Sequence, residues 1–387
     1  MVETWREKIK ELRNELEEWL NQKKVVPTGA VVVQDLPAEE TSKRIKEIMK
    51  KFADQLHKGD NPYFDVPSRG GRNIVYNAES DMVLLGENVT KRYLFSLSTA
   101  RKTAITARIL EIIYQLLTLG IHSTKRDIFY TDVNLFQDQS ESDPVLEDVA
   151  VMLNVIRNSI HVVADPRGIV VGKLYFREGG DKIDCTRQGN GGKVITPFQD
   201  TVTDLESDAE FILLVEKEAA FLRLAEDRFY NKYPCVIVTG RGQPDMATRF
   251  FLKRLEKELK LPVLALVDCD PYGVGIILTY TVGSKSLAYE ASYLVVPKVK
   301  WLGLRPSDIE KYDVPRYALL SMKDADMKRG RELIKEDFII QRPKWRDEIL
   351  EMLRTKKKAE IQALTSRGFR YLTEEYLPRK LETGDWI

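Results

Sequence analysis

Three carboxylates that directly follow apolar runs are the residues of this sequence best suited to chemistry. The run Phe211–Val215 leads into Glu216, and the run 263–267 leads into Asp268 and Asp270. Continuous apolar runs of this length are typical of strands that are buried on both faces of a parallel sheet. Ligands of such sheets bind outside the carboxyl ends of the strands, so we expect the three acids at one edge.

The chemistry that these acids favour is the binding of a hard cation. Alternate side chains of an extended chain point the same way, so Asp268 and Asp270 can face one ion together. Carboxylate oxygens are ligands that Mg²⁺ prefers. An acid after a strand often caps the next helix instead, and Asp270 before Pro271 fits that role. Because three acids at two strand ends argue against coincidence, we predict a Mg²⁺ site.

A tyrosine is the second candidate for chemistry. Arg126 and Tyr130 are four residues apart and would share one face of a helix. A phenol, with a pKa near ~10, is a weak nucleophile unless a positive charge or a base favours the phenolate. A guanidinium one turn away provides such a charge, or holds a phosphate. Spacing alone does not single out Tyr130, because the chain has 16 tyrosines.

The elements around the acids predict an α/β domain with a parallel sheet. Strand and helix patterns alternate with short connections, and further strands are expected at 235–238 and 293–296. The Gly-rich stretch 179–192 is expected to be a flexible linker that precedes this domain. Val194 stands where a phosphate-binding P-loop needs Ser or Thr, so ATP should not bind by that route.

The region 76–176 predicts a winged helix, a common DNA-binding module. A helix is expected from near Thr99 to Gly120, a second over 125–136, and a third from Asp143. A hairpin over 161–171 should follow. Three helices and then a hairpin are the order of a winged helix-turn-helix.

The first 75 residues predict two amphipathic helices and a linker. The first helix has an apolar seam with a 4-3-4-3 spacing, formed by Trp5, Ile9, Leu12, Leu16 and Trp19. This seam packs on its own domain or docks another chain, and the sequence leaves both open. The second helix should be capped by Thr41 or Ser42, and 63–71 should be a linker.

Composition sets wide bounds on function. The chain of 387 residues is long enough for two or three domains, and its net charge of +1 does not by itself indicate a nucleic-acid partner. Three scattered cysteines favour a reducing, cytoplasmic setting over a disulfide framework or a zinc site. No stretch reaches the length of a membrane span. Abundant Lys and Glu favour a thermophilic source.

Several motifs resemble one family. The stretches "VEKEAAF", "TGRGQPDMATRFFL" and "LALVDCDPYGVGIILTY" resemble the Toprim domain of topoisomerase VI A subunits. These are archaeal type IIB topoisomerases, related to the eukaryotic meiotic protein that makes double-strand breaks. "TKRDIFYTDVNLF" resembles the active-site tyrosine motif of the family, and "GSKSLAYE" and "KWLGLRPSD" resemble further signatures. Many relatives have two adjacent tyrosines where this chain has Phe129 and Tyr130, which leaves Tyr130 as the candidate.

The resemblance implies a fold and a set of site residues. It implies an N-terminal helical arm over 1–75 and a CAP-like winged-helix domain over 76–176. A Toprim domain with a C-terminal helical extension would cover 177–387. Tyr130 would form a 5′-phosphotyrosyl bond with DNA while Arg126 orients the phosphate or favours the phenolate. The Mg²⁺ ligands would be Glu216, Asp268 and Asp270, and the candidate DNA contacts are Lys125, Arg241 and Arg249.

The resemblance also implies partners. The substrate would be double-stranded DNA, and the chain would form a homodimer in which Tyr and Toprim acids come from different protomers. A separate B subunit with a GHKL-type ATPase would bind ATP, which gives an A2B2 heterotetramer, and the helix with Trp5 and Trp19 is the candidate dock. The expected location is the nucleoid in an archaeal cytoplasm. Three alternatives stay open: a Toprim nuclease that uses metal-bound water, a non-catalytic DNA-binding scaffold, and a dedicated double-strand-break protein that does not reseal.

Overall fold

The computed structural model describes residues 4–22, 29–164 and 166–387. Within them the helices are α1 Thr4–Asn21, α2 Ala38–His57, α3 Ala100–Leu119, α4 Lys125–Thr131, α5 Val133–Phe136, α6 Gln139–Met152, α7 Glu218–Glu226, α8 Phe229–Lys232, α9 Met246–Leu259, α10 Pro271–Thr281, α11 Ala291–Leu294, α12 Pro306–Lys311, α13 Asp324–Leu333, α14 Asp337–Ile340, α15 Pro343–Thr355 and α16 Leu377–Thr383. The strands are β1 Tyr63–Pro67, β2 Ile74–Asn77, β3 Met82–Leu85, β4 Val89–Tyr93, β5 Ser123–Thr124, β6 Val162–Val163, β7 Ile169–Gly172, β8 Tyr175–Glu178, β9 Asp181–Asp184, β10 Lys193–Val194, β11 Val202–Glu206, β12 Phe211–Val215, β13 Cys235–Thr239, β14 Val263–Leu266, β15 Lys300–Gly303, β16 Leu320–Ser321 and β17 Lys357–Lys358.

A central sheet positions the acids. Its order is β10-β7-β13-β12-β14-β15, and the four strands β13, β12, β14 and β15 run parallel. Every residue of β12 and β13 is buried, which explains their uninterrupted apolar sequences. Val215 at the end of β12 pairs with Thr239 on one side and Leu266 on the other, so the three strands end together. The predicted parallel strands are confirmed, although β7 pairs antiparallel with both β13 and β10, which makes the whole sheet mixed.

The helix that follows the second acidic strand approaches it closely. Asp270 caps α10, and Pro271 occupies the first helical position, where a missing N–H costs nothing. Gly273, in the first turn, packs so tightly on the preceding loop that a Cβ would overlap the carbonyl oxygen of Asp268. A glycine is therefore needed here for the helix to begin directly behind the acids.

The tyrosine lies on a short, capped helix in the predicted winged-helix region. Thr99 precedes α3, and Gly120 follows it in the left-handed conformation with φ 65°, as predicted. Thr124 caps α4. Its hydroxyl accepts a hydrogen bond from the backbone N–H of Asp127, and the Asp127 side chain accepts one from the backbone N–H of Thr124. The predicted third helix begins earlier than expected, at Gln139 in place of Asp143, because Asp138 supplies the cap. Pro144 lies inside that helix.

The predicted hairpin over 161–171 is wrong. Within the described residues, β6 pairs in parallel with β5, whereas β7 pairs antiparallel with β13 and β10 in the central sheet. The predicted turn includes residue 165, which lies outside the described residues. All four residues of β7 are buried, and the centre of a sheet buries such a run on both faces, which a two-stranded hairpin cannot do.

The seam of α1 packs on its own chain. Trp5, Ile9, Leu12 and Leu16 are all buried. The Trp5 ring lies 6.3 Å from Phe211 and 5.3 Å from Tyr233, between ring centroids. The first of the two interpretations left open is therefore confirmed. A partner cannot reach these four residues, whereas Trp19, the fifth residue of the seam and part of the predicted dock for a B subunit, is half-buried.

Four local predictions are also corrected. The expected linker over 63–71 contains β1, which pairs with β4. The expected Gly-rich linker begins with the turn of a hairpin, at Gly179 and Gly180, and continues into β9, which pairs with the preceding strand β8. The expected strand at 293–296 begins instead as the last residues of α11, and α2 begins at Ala38 after Pro37. Pro and Gly in these stretches mark turns between short strands, which resemble linkers when the pairing partner is unknown. No described helix is long and apolar enough to cross a membrane.

Candidate active site

The carboxyl ends of three strands meet at Glu216. Its side-chain Oε2 accepts a hydrogen bond of 2.8 Å from the backbone N–H of Asp268. Its own carbonyl oxygen accepts bonds from the Thr239 hydroxyl at 3.2 Å and from the Gly242 N–H at 2.9 Å. The ends of β12, β13 and β14 are thereby tied together. Glu216, Asp268 and Asp270 at these ends are called the acid edge below.

The two aspartates of the acid edge have different partners. Asp268 is buried; its Oδ1 accepts from the N–H of Ile361 at 2.8 Å, and its Oδ2 lies 2.7 Å from the Lys217 ammonium. Asp270 uses Oδ1 to accept from two N–H groups of the first turn of α10. Its Oδ2 lies 3.9 Å from the ammonium of Lys358. Asp270 therefore caps the helix with one oxygen, and its other oxygen takes no part in the cap.

Burial and mutual repulsion dominate the electrostatics of the acid edge. Burial, and then the nearby charge of Asp268, raise the pKa of Glu216 from 4.5 to about 7. Burial also raises the pKa of Asp268, although the Lys217 ammonium opposes that effect. Two of the acids therefore resist ionisation, and a bound cation would relieve the repulsion.

The acid edge fits Mg²⁺ by its chemistry, but it is not arranged as a complete ligand set. Among the residues that the structure describes, no three His, Cys, Asp or Glu side chains converge closely enough to hold a metal ion. The Lys217 ammonium, 2.7 Å from Asp268, already neutralises that carboxylate. The three acids nevertheless offer carboxylate oxygens, which are the ligands that Mg²⁺ prefers, and their mutual repulsion favours a bound cation.

A segment from the far C-terminus lies across the acid edge. Residues 357–362, the C-terminal strap, pair with the acidic loop through two backbone hydrogen bonds between Cys269 and Ala359, of 2.8 and 3.2 Å. The Lys217 ammonium also contacts Glu360 of the strap, at 3.0 Å. Sequence reasoning missed the strap, because no motif marks it. Lys217 was also missed, although its position directly after Glu216 was a signal that it lies near the acids.

Tyr130 lies apart from the acid edge. It is on α4, its side chain is 62% exposed, and its ring packs beside Phe129 with 5.2 Å between centroids. Arg126, one turn earlier, is also exposed. Within the described residues, no hydrogen bond or ion pair joins these two side chains to the acid edge. The candidate nucleophile and the candidate cation site therefore lie on separate elements.

The three candidate DNA contacts differ in exposure. Arg249 is 1% exposed, and burial lowers its pKa to about 10, so a contact with DNA is incompatible with its position. The Lys125 ammonium is paired at 2.5 Å with the buried carboxylate of Glu147, which argues against its predicted contact. Arg241 is exposed after β13, near Glu216, and pairs with Glu218 at 2.9 Å. It remains a candidate.

A parallel sheet with Glu at one strand end and Asp-x-Asp at the next defines a Toprim-type site, and comparison with known proteins supports that class. Residues 211–381 match the family model for the Toprim domain that topoisomerase 6 A subunits share with Spo11. Residues 101–162, which include Tyr130, match the model described as "Type IIB DNA topoisomerase".

Relatives extend the similarity to nearly the whole chain. The A3 subunit of DNA topoisomerase 6 from Oryza sativa subsp. indica is 54% identical over 357 residues, which cover 92% of this chain and 81% of that protein. "Meiotic recombination protein SPO11" of Mus musculus is 36% identical over 93% of this chain and 91% of its own. The A subunit of type 2 DNA topoisomerase 6 from the archaeon Hyperthermus butylicus is also 36% identical, over 92% of this chain and 98% of its own.

The chain belongs to the family of type IIB DNA topoisomerases that comprises the topoisomerase 6 A subunits and Spo11. The resemblance predicted from the motifs is confirmed. The expectation of an archaeal source is not supported, because the rice relative is far more similar to this chain than the archaeal one.

Proposed function

We propose that this chain is the DNA-cleaving A subunit of a type IIB topoisomerase and that Tyr130 is its nucleophile. The observation that carries the proposal is the position of Tyr130. It is exposed on a capped helix inside the segment that matches the type IIB model, and the same chain carries an acid edge inside the Toprim match. A nucleophile and a cation site in one chain are the two parts that phosphoryl transfer needs.

The proposed reaction is a transesterification. The phenolic oxygen of Tyr130 attacks a DNA phosphorus, the bond from phosphorus to the 3′-oxygen breaks, and a 5′-phosphotyrosyl bond replaces it. The phenolic proton is given up, and the departing 3′-oxygen takes one. One ester replaces another, so the reverse attack reseals the strand without an energy source. Arg126, on the same face one turn earlier, is suited to orient the phosphate.

The acid edge supplies the charge that this reaction needs. Mg²⁺ held by Glu216, Asp268 and Asp270 would provide positive charge for the phosphoryl oxygens and the departing oxygen. Asp270 keeps one oxygen free of the helix cap for this purpose. Exposed Arg241, beside Glu216, is suited to contact the DNA backbone.

The separation of Tyr130 from the acid edge supports a homodimer in which each protomer completes the other's site. Helices α3, α4 and α6 would form the DNA-facing module, of winged-helix type, and the sheet domain would form the Toprim module. ATP would be bound by a B subunit with a GHKL-type ATPase, in an A2B2 assembly. The P-loop pattern is missing from the sequence, which is in keeping with this division of labour.

A dedicated break-making role without resealing is the second candidate. It is favoured by the similarity to the mouse protein named for meiotic recombination, which spans most of both chains. The two candidates share the cleavage step and differ in whether the break is rejoined.

The test of the proposed function is covalent attachment to DNA. The chain, with a cognate B subunit, supercoiled plasmid, Mg²⁺ and an ATP analogue, is quenched with detergent, and protein bound to DNA 5′ ends is measured. We expect an adduct with the wild type and none with Tyr130→Phe, because the phenolic oxygen forms the bond. Equal cleavage by both, with free 5′ ends, would assign the chain to the Toprim nucleases. Relaxed, closed plasmid in a parallel reaction with ATP distinguishes resealing from break-making alone.

A further inference from the structure

A buried carboxylate joins the tyrosine helix to a segment that the proposed reaction does not use. Tyr289 and Glu290 end the stretch "GSKSLAYE", which has no chemical role in that reaction. The Tyr289 hydroxyl donates a hydrogen bond of 2.5 Å to Oε2 of Glu147 on α6. The other oxygen of Glu147, Oε1, lies 2.5 Å from the ammonium of Lys125. Lys125 is the first residue of α4, the helix that carries Tyr130.

The surroundings of this carboxylate show that its contacts are built into the core. Glu147 is 6% exposed, and Arg157, also buried, lies 3.5 Å from Oε1. Burial acts to raise the pKa of Glu147, but Lys125 and Arg157 together hold it below its usual value. The backbone N–H of Arg157 also donates to Glu290 at 3.2 Å. We call Glu147, Lys125, Arg157 and Tyr289 the Glu147 anchor.

Apart from the Glu147 anchor, the tyrosine helix is held by the Thr124 cap and by a small buried face. The helix has seven residues, and Ile128 is its one buried side chain in the structure. A seven-residue helix is too short to be stable by itself and depends on tertiary contacts. Its N-terminus is pinned by Lys125 to a carboxylate that Tyr289 fixes from the other side. Transesterification depends on alignment, and a displacement of about 1 Å can cost about 100-fold in rate.

We propose that Glu147 and Tyr289 are positioning residues that set the orientation of α4, and through it the attacking oxygen of Tyr130. This inference rests on the proposed role of Tyr130 as nucleophile. It gives the "GSKSLAYE" segment a function: Tyr289 of this segment orients the Glu147 carboxylate, which holds the helix that carries Tyr130.

The chain offers a matched pair of variants. Tyr289→Phe removes the hydroxyl that bonds to Glu147. Tyr280→Phe removes a hydroxyl that is equally buried but has no hydrogen-bond partner among the described residues. Both changes keep the ring and its packing, so both variants are expected to fold. Any difference between them reports the hydrogen bond to Glu147.

Two measurements are made on both variants. Amide hydrogen exchange over residues 125–131, without DNA, should be faster in Tyr289→Phe by about fivefold or more, the effect of one lost buried hydrogen bond. The single-turnover rate of adduct formation, measured at saturating DNA and well below the Tm of either variant, should fall by about tenfold or more, while the Kd for DNA stays near that of Tyr280→Phe. A purely structural role would change the Tm and leave the rate at saturation unchanged.

The outcomes separate this inference from the proposed function. If Tyr289→Phe and Tyr280→Phe exchange equally over 125–131, the anchor does not hold α4 and the inference is overturned. Faster exchange with an unchanged adduct rate would also overturn it, because α4 would then move without affecting Tyr130. An adduct formed by Tyr130→Phe would instead refute the proposed nucleophile, and the positioning role would fall with it.

Discussion

Replacement of Glu216 by Gln should make this protein more stable at high pH, although it removes a carboxylate from the acid edge. The folded state holds the pKa of Glu216 at about 7, whereas an unperturbed glutamate has 4.5. Below pH 4.5 the residue is protonated in both states and has no effect on stability. As the pH rises from 4.5 to 7, the unfolded chain loses the proton while the folded chain keeps it, so the folded state becomes relatively less stable. Above pH 7 the penalty is complete.

The size of the penalty follows from the two pKa values. Each unit of pKa difference corresponds to about 1.4 kcal/mol, so a rise from 4.5 to about 7 amounts to about 3 kcal/mol. Gln is neutral and keeps an oxygen that can accept the hydrogen bond from the backbone N–H of Asp268. It therefore preserves the tie between the strand ends while removing the repulsion from Asp268 and Asp270.

The assay is urea unfolding between pH 5 and pH 9 with EDTA present. We expect Glu216→Gln to exceed the wild type by about 2–3 kcal/mol at pH 9 and by less than about 1 kcal/mol near pH 5. Mg²⁺ should stabilise the wild type at pH 9 and have little effect on the variant. The control is Glu258→Gln, which alters an exposed carboxylate paired with Arg254 and should stay within about 0.5 kcal/mol. A stability difference that does not vary with pH, or a less stable variant at pH 9, would refute the reasoning.

Two further substitutions test how the acid edge is built. Lys217→Met removes the ammonium that neutralises Asp268, so calorimetric titration should show Mg²⁺ binding at least about fivefold tighter. The matched control is Lys193→Met, which breaks a 2.7 Å pair with Glu178 elsewhere, and equal affinities in the two variants would contradict the idea. Gly273→Ala should cost about 1–3 kcal/mol in denaturant unfolding, because its Cβ would overlap the Asp268 carbonyl. Gly275→Ala on the same helix meets only the Arg329 guanidinium, at 3.5 Å, and should be neutral or stabilising; similar losses in both would count against the close approach.

Local sequence patterns were sufficient for the parallel strands β12, β13 and β14 and for most of the acid edge. Five-residue apolar runs ending in acids predicted parallel strands, and the structure places the ends of β12 and β14 side by side. A strand that is buried on both faces needs an unbroken apolar run, so its burial can be predicted from its own sequence. The helix from Thr99 to Gly120 was predicted for a similar reason, because its face and its left-handed end are both local features.

Only the tertiary structure decided which distant segments meet. In the structure β7 belongs to the central sheet and not to the predicted hairpin. The C-terminal strap lies over the acids, and most of the seam of α1 is buried. The tertiary structure also placed Arg249 in the core and joined Lys125 to Glu147. A charged side chain has the same sequence signature whether it faces solvent or a buried partner, because its partner lies on another element. The sequence by itself therefore determined the parallel strands β12, β13 and β14, the acids that follow β12 and β14, and the family. The packing of remote elements determined how the acids are neutralised and how the tyrosine helix is held.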